Sequence, residues 1–259
     1  MSFQIGDPKL IARETTIDVY SDFRNYDIKN GGLGAPLIPV FHKYIYSEKN
    51  SNKLVFNIGG IANITLIKKP VGSTEIYSKD IGPGNCLIDE WVRNNCDQKY
   101  DKGGKLASSG NINEIILEQA QELYLNRKNK EKLSFDINDF DISFSRGLSL
   151  EDGAATLTKF TADIIIEAIS LILKKEILVK NILICGGGRK NKVLLKTISK
   201  FFGSNLNIKL IDEYGLDGDF IESQAFAFLA IRSYKKLPIS FPNTTNCKSP
   251  TLGGELIEN

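Results

Sequence analysis

The 259 residues carry 33 Lys+Arg against 31 Asp+Glu, a formal charge of +2, with 42% hydrophobic and 25% charged side chains. That is globular composition, and it argues against wholesale disorder, a collagen-like repeat or a membrane protein. At roughly 150 residues per domain the length allows one large domain or two small ones, and no long basic stripe or bilayer-length apolar run points to nucleic acid or membrane partners.

The chain opens on Gln4-Ile5-Gly6-Asp7 and a strand-like Ile17-Asp18-Val19-Tyr20. Asn30 to Pro36 is rich in glycine and reads as a shaped loop or connector, with a short helix through Phe41 and His42 after it. Leu54 to Ile58 and Ile61 to Ile67 are β-rich runs either side of Gly59-Gly60, the pattern of a hairpin with a tight two-residue turn. A third strand, Glu75 to Ser78, is expected to end at Asp80 and Gly82-Pro83-Gly84-Asn85. Leu87, Ile88, Trp91 and Val92 then fall at helical spacing, with Asn85 as N-cap.

Asn113 to Leu125 reads as a further helix, and Asn126 to Phe144 as a surface excursion of mixed charge. Ser149 to Asp152 resembles a capping box that opens a long helix, with Leu157, Phe160, Ile164, Ala168 and Leu171 on its buried face. The remainder alternates strand Asn181 to Cys185, helix Asn191 to Phe202, strand Asn207 to Asp212 and helix Glu222 to Tyr234. Thr251 to Gly254 is expected to lead into a short terminal helix. This order implies an α/β mixed sheet covered by helices.

The segments that could carry chemistry are glycine-rich turns. Gly59-Gly60 with Asn57 and Asn63, Gly82 and Gly84 with Asn85, and Gly186-Gly187-Gly188 all follow strands, where bare backbone N–H groups can approach a phosphate. Taken alone, the Gly59-Gly60 turn reads first as an ordinary hairpin, and the triple glycine equally as a tight connection without ligand. Asp80, placed by this reading at a strand tip beside a helix N-terminus, suits a general base, although a lone Asp there is more often a turn residue. Cys86, Cys96, Cys185 and Cys247 show no Cys-x-x-Cys spacing and read as scattered thiols. The single histidine, His42, reads as structural and leaves no His-rich metal cluster.

Gln4 to Asp7, Ser21 to Arg24, Gly31 to Leu37, Asn57 to Asn63, Asp80 with Gly82 to Asn85, Cys185 to Gly188 and Glu222 with Ala225 to Ala227 stand in an order similar to that of the anhydro-N-acetylmuramic acid kinase family. The resemblance implies an actin-like ATPase (ribonuclease H-like) fold, with ATP and Mg²⁺ as cofactors and an amino sugar as substrate. The family opens the 1,6-anhydro bond of that sugar and phosphorylates O6 in cell-wall recycling. Asp80 matches the base, and Asn57, Gly59, Gly60, Asn63, Gly82, Gly84, Asn85, Gly186, Gly187 and Gly188 match the nucleotide wall. Gln4, Arg24 and Glu222 match sugar-binding positions, while the metal ligands stay unassigned.

The family's Gly-Thr-Ser-x-Asp-Gly phosphate hairpin is not found in these residues. The expected organisation is therefore a first-domain remnant and connector at 1–45, a largely intact second domain at 46–238, and a segment returning toward the first domain at 239–259. A homodimer or a separately encoded N-terminal half is the expected macromolecular partner, and the cytoplasm the expected compartment. A non-catalytic nucleotide-binding module of the same fold is the competing expectation.

Overall fold

A computed structural model describes residues 5–46, 52–68, 75–126, 135–176 and 179–259. Helix α1 (Pro8–Thr15), strand β1 (Val19–Ser21) and helices α2 (Phe23–Lys29) and α3 (Pro39–Tyr46) precede strands β2 (Asn52–Ile58), β3 (Ile61–Lys68) and β4 (Glu75–Pro83). Helices α4 (Cys86–Asn95), α5 (Lys105–Ser109), α6 (Glu114–Asn126) and α7 (Leu150–Lys175) follow. Then come β5 (Val179–Cys185), α8 (Lys192–Phe202), β6 (Asn207–Leu210), α9 (Ile221–Tyr234), α10 (Pro242–Thr245) and β7 (Glu255–Ile257).

Five strands form one sheet in the order β4-β3-β2-β5-β6. A two-residue connection obliges β2 and β3 to run antiparallel. By contrast β2 runs parallel to β5, with Leu54 opposite Ile182, and β5 runs parallel to β6, with Ile182 opposite Ile208. The sheet is therefore mixed and flanked by helices, as the strand and helix order implied. Leu54, Val55 and Phe56 in β2 and Ile182, Leu183 and Ile184 in β5 are all sealed from solvent. Such continuous apolar runs are what a strand needs when both faces are covered.

The chain divides into two compact units, one of Met1–Asn50, Thr65–Lys79 and Phe220–Asn259, the other of Ser51–Ile64 and Asp80–Asp219. In the second unit α7 is the central helix and packs on α4, α5, α6 and α8. Ser149 caps it by accepting from the Asp152 N–H at 3.1 Å, and Leu157, Phe160 and Ile164 form a core with Leu87, Ile88 and Trp91 of α4. Each such side chain contributes about 1.5–3 kcal/mol when taken from water. The expected buried face holds only as far as Ile164. Leu171 is exposed, and Ile165 and Ile169 are buried in its stead.

In the first unit, β1 pairs antiparallel with β7, Val19 opposite Ile257 and Ser21 opposite Glu255. The short terminal helix expected after Thr251 to Gly254 is thus a strand. β1 offers β7 an edge with open hydrogen-bonding groups, which the pairing satisfies. α3 and α9 meet through Phe41 and Phe228, whose ring centroids are 5.5 Å apart. Arg232 of α9 is buried, donating to the Pro238 carbonyl at 2.7 Å and to Tyr44 Oη at 3.2 Å. His42 is buried with Nδ1 3.0 Å from Thr65 Oγ1, and burial pulls its pKa down to about 4. It is a neutral core residue, as the sequence suggested. No described helix is long and apolar enough to cross a membrane.

Candidate functional site

The three glycine turns converge in the second unit. The hairpin turn between β2 and β3 does not use glycine for its φ, since neither Gly59 nor Gly60 takes a positive value. Its carbonyls instead receive the start of α4: Gly84 N–H donates to Gly60 O at 2.9 Å, Asn85 N–H to Gly59 O at 2.8 Å and Cys86 N–H to Gly60 O at 3.1 Å. Gly84 is required by this close approach, because a Cβ there would collide with the Gly59 carbonyl. Asn85 stands at the N-cap as expected, but its side chain makes no cap bond and reaches the Ile58 carbonyl at 3.4 Å.

The triple-glycine turn leaves β5 beside the same hairpin. Gly186 has φ +82°, and a Cβ there would lie 2.5 Å from Asn57 Oδ1 and 2.6 Å from the Ile58 carbonyl oxygen. Gly188 lies against the Ile58 side chain with no room for a methyl group. Gly187 differs: it is exposed, and the nearest atom to a Cβ built on it is Asn85 Nδ2 at 3.7 Å. Gly59 and Gly60 are equally unconstrained, with nearest atoms at 3.4 and 3.8 Å. Internal packing therefore demands glycine at 84, 186 and 188, whereas at 59, 60 and 187 a Cβ would meet only ordinary van der Waals contacts.

Beyond the turn, Asn191 caps α8 by accepting from Val193 and Leu194 N–H, each at 3.1 Å. Arg189 folds back beneath the turn with a side chain only 4% exposed. Its guanidinium donates to both oxygens of Asp212, to Asp219 and to the Gly186 carbonyl. Those bonds hold the Arg189 proton more tightly than usual and the Asp212 carboxyl below its usual range, while Lys190 and then Arg189 do the same for Asp219. Burial pushes the Cys185 thiol up to about 12 and the Cys86 thiol up to about 11, so neither is a nucleophile near neutral pH.

Asp80 lies inside β4, which continues to Pro83, and not at a strand tip as the sequence implied. Gly82 is a packing glycine within the strand: a Cβ there would meet Tyr124 Oη at 2.6 Å and Ile164 Cγ2 at 2.7 Å. The half-buried Asp80 carboxylate accepts from Phe135 N–H at 2.9 Å, and Tyr124 Oη donates to the neighbouring Ile81 carbonyl at 2.9 Å. Asn63 is half-buried in β3. Among the described residues no group of three His, Cys, Asp or Glu could hold a metal ion.

Two of the sugar-binding candidates belong to the first unit. Arg24 in α2 donates from Nη1 to the Gly34 carbonyl at 3.3 Å, and Glu222 is exposed in the first turn of α9. The loop Arg24 touches is held by Asp27, which is fully buried and accepts from Gly34 N–H at 2.7 Å and Thr245 Oγ1 at 2.6 Å. Gln4 lies outside the described residues, as does most of the stretch between Asn126 and Phe135. Arg189 and its acid partners escaped the sequence reading as a unit. Asp212 enters that reading as the last residue of the expected strand Asn207 to Asp212, and Arg189 does not enter it.

A family model described as anhydro-N-acetylmuramic acid kinase matches residues 1–258. The anhydro-N-acetylmuramic acid kinase of Pelagibacter ubique is 50% identical over 262 residues, covering 100% of this chain and 70% of the relative. That of Zymomonas mobilis is 37% identical over 257 residues, covering 98% and 68%. A solved structure, the activator of 2-hydroxyisocaproyl-CoA dehydratase from Clostridium difficile with bound ADPNP, is 13% identical with a TM-score of 0.42 over 77% of this chain and 67% of that one. No shared fold follows from a likeness that distant.

Proposed function

Because the chain belongs to the anhydro-N-acetylmuramic acid kinase family, we propose that it uses water and ATP to convert anhydro-N-acetylmuramic acid into N-acetylmuramic acid 6-phosphate. The observation that carries this for the chain's own residues is the set of glycines at 59, 60 and 187. The fold has no packing or φ requirement for glycine there, and the turns that bear them converge. Backbone bare of Cβ atoms suits a triphosphate lying along it.

Asp80 is assigned the base. Water adds to the anomeric carbon as its proton passes to the Asp80 carboxylate. The bond from that carbon to O6 breaks, and O6 takes the γ-phosphoryl group as ADP leaves. The Phe135 N–H on one carboxylate oxygen limits the ways Asp80 can turn, which favours a positioned base over a mobile one. Asn57 and Asn85, packed between the glycine turns, are assigned to shaping the nucleotide wall along with Gly84, Gly186 and Gly188. Asn63 and Gly82 belong to the same wall by family position, as Arg24, Glu222 and Gln4 belong to the sugar.

ATP enters as its Mg²⁺ complex. Mg²⁺ bound with a nucleotide is usually held by phosphate oxygens and water with one or two carboxylates, and the described residues offer no group of three His, Cys, Asp or Glu that would hold it alone. The ion would neutralise phosphate charge.

Supplying anhydro-N-acetylmuramic acid and Mg-ATP to the purified chain tests the reading, with the phosphorylated sugar and ADP measured together. The expected result is stoichiometric formation of both, lowered about 10²- to 10⁴-fold in Asp80→Asn. A wild-type chain that makes no phosphorylated sugar would overturn the function. Undiminished turnover in Asp80→Asn would overturn the role of that carboxylate.

A further inference from the structure

We propose that Arg189 is a positioning residue for nucleotide binding, acting through the Gly186 carbonyl to fix the tilt of the triple-glycine turn. The inference rests on the reading of that turn as a nucleotide contact. Four hydrogen bonds define it: Nε to Asp212 Oδ2 at 2.8 Å, Nη2 to Asp212 Oδ1 at 3.2 Å, Nη2 to Asp219 Oδ1 at 2.9 Å and Nη1 to Gly186 O at 3.2 Å. The planar fork is thereby fixed on one side by a bidentate carboxylate and on the other by the first peptide of the turn. A lysine ammonium could supply the charge and not this geometry.

Two observations separate this arrangement from an ordinary stabilising ion pair. The guanidinium is nearly sealed from solvent, whereas Asp212 and Asp219 keep 44% and 50% of their side-chain surface exposed. A buried charge of this kind costs desolvation and adds little net stability over an apolar side chain of similar size, so its distinctive property is directional. The loop after β6 is also shaped around it. Gly218 lies against the guanidinium so closely that a Cβ would be 2.5 Å from Arg189 Cζ, and Gly218 N–H donates to Asp212 Oδ1 at 3.3 Å. Lys190 closes the far side on Asp219 Oδ2 at 2.5 Å. Rotating the Gly186 peptide would swing the N–H groups of Gly187 and Gly188, the donors that this reading assigns to the nucleotide.

The test is steady-state kinetics with ATP and sugar varied separately, together with calorimetric titration of Mg-ATP, on Arg189→Lys, Gly218→Ala and Asp219→Asn. The last removes a half-exposed carboxylate and leaves the core untouched, so it reports even if another variant folds poorly. Arg189→Lys and Gly218→Ala are expected to raise both the KM and the Kd for ATP about tenfold, with kcat and the sugar KM within about twofold of wild type. Asp219→Asn should give a smaller rise in the same direction. Unchanged ATP affinity in all three variants would overturn the proposal while leaving the kinase reading intact. So would a parallel rise in ATP and sugar KM with a lowered melting temperature, the signature of general loosening. A wild-type chain that binds no Mg-ATP would overturn both.

Discussion

Glycines around the candidate site fall into two physical kinds, and substitution should separate them. Gly188→Ala drives a methyl group into Ile58 and should cost about 1–3 kcal/mol of stability, read as a lowered midpoint in urea unfolding. Gly187→Ala meets nothing closer than 3.7 Å and should leave that midpoint within about 0.5 kcal/mol while weakening ATP binding. His42 sets a different kind of test. Its pKa falls from 6.5 to about 4 on folding, so below pH 6.5 the unfolded chain takes up a proton that the folded chain refuses. The associated stability is complete above pH 6.5 and drains away toward pH 4, about 3 kcal/mol in all. His42→Gln should flatten that part of the profile. Asp89 acts in the opposite sense: burial raises its pKa to about 6, with Arg93 opposing and Asp101 adding to the shift. Its neutral form favours folding at low pH, and that advantage is lost as pH rises through 6. Asp89→Asn should therefore stabilise at pH 7 by about 1 kcal/mol, allowing for solvent screening, and by nothing at pH 4.

At the scale of elements, α4 and α7 meet without a spacer. Gly153 of α7 lies under the indole of Trp91, and Trp91 Nε1 donates to the Leu150 carbonyl at 2.9 Å. Gly153→Ala should force the two helices apart and lower the urea midpoint by about 2 kcal/mol or more. Both helices were legible in advance. Leu87, Ile88, Trp91 and Val92 recur at helical spacing and are the buried residues of α4, and Ser149 announced the start of α7. α1 was missed although its signal was present, Asp7 followed by Pro8, with the Asp7 carboxylate accepting from Lys9 and Leu10 N–H. Asp80 was misplaced by three residues' worth of strand because Gly82-Pro83 reads as punctuation. The glycine is there to admit Tyr124 and Ile164, and the proline occupies the strand's last position. The Arg189 fork was beyond sequence reasoning for a different reason: its carboxylate partners lie 23 and 30 residues away, and no local periodicity joins them.

For the molecule as a whole, the single tryptophan falls in the unit of Ser51–Ile64 and Asp80–Asp219, where it is 4% exposed. Its fluorescence is therefore a private reporter of that unit's unfolding. Mg-ATP at about 100 times its Kd should stabilise the transition seen by Trp91 by about 2.7 kcal/mol. No upward shift with saturating nucleotide would place the binding elsewhere or nowhere. The other unit has a peculiarity of order. Strand β1 is made by residue 21, yet its partner in the pair Val19–Ile257 belongs to β7. During vectorial synthesis the first strand must wait, edge open, until Glu255–Ile257 emerges, whereas every residue of the tryptophan-bearing unit exists by Asp219. A ribosome stalled shortly after that point would carry one unit with all its parts and the other still missing its closing strand.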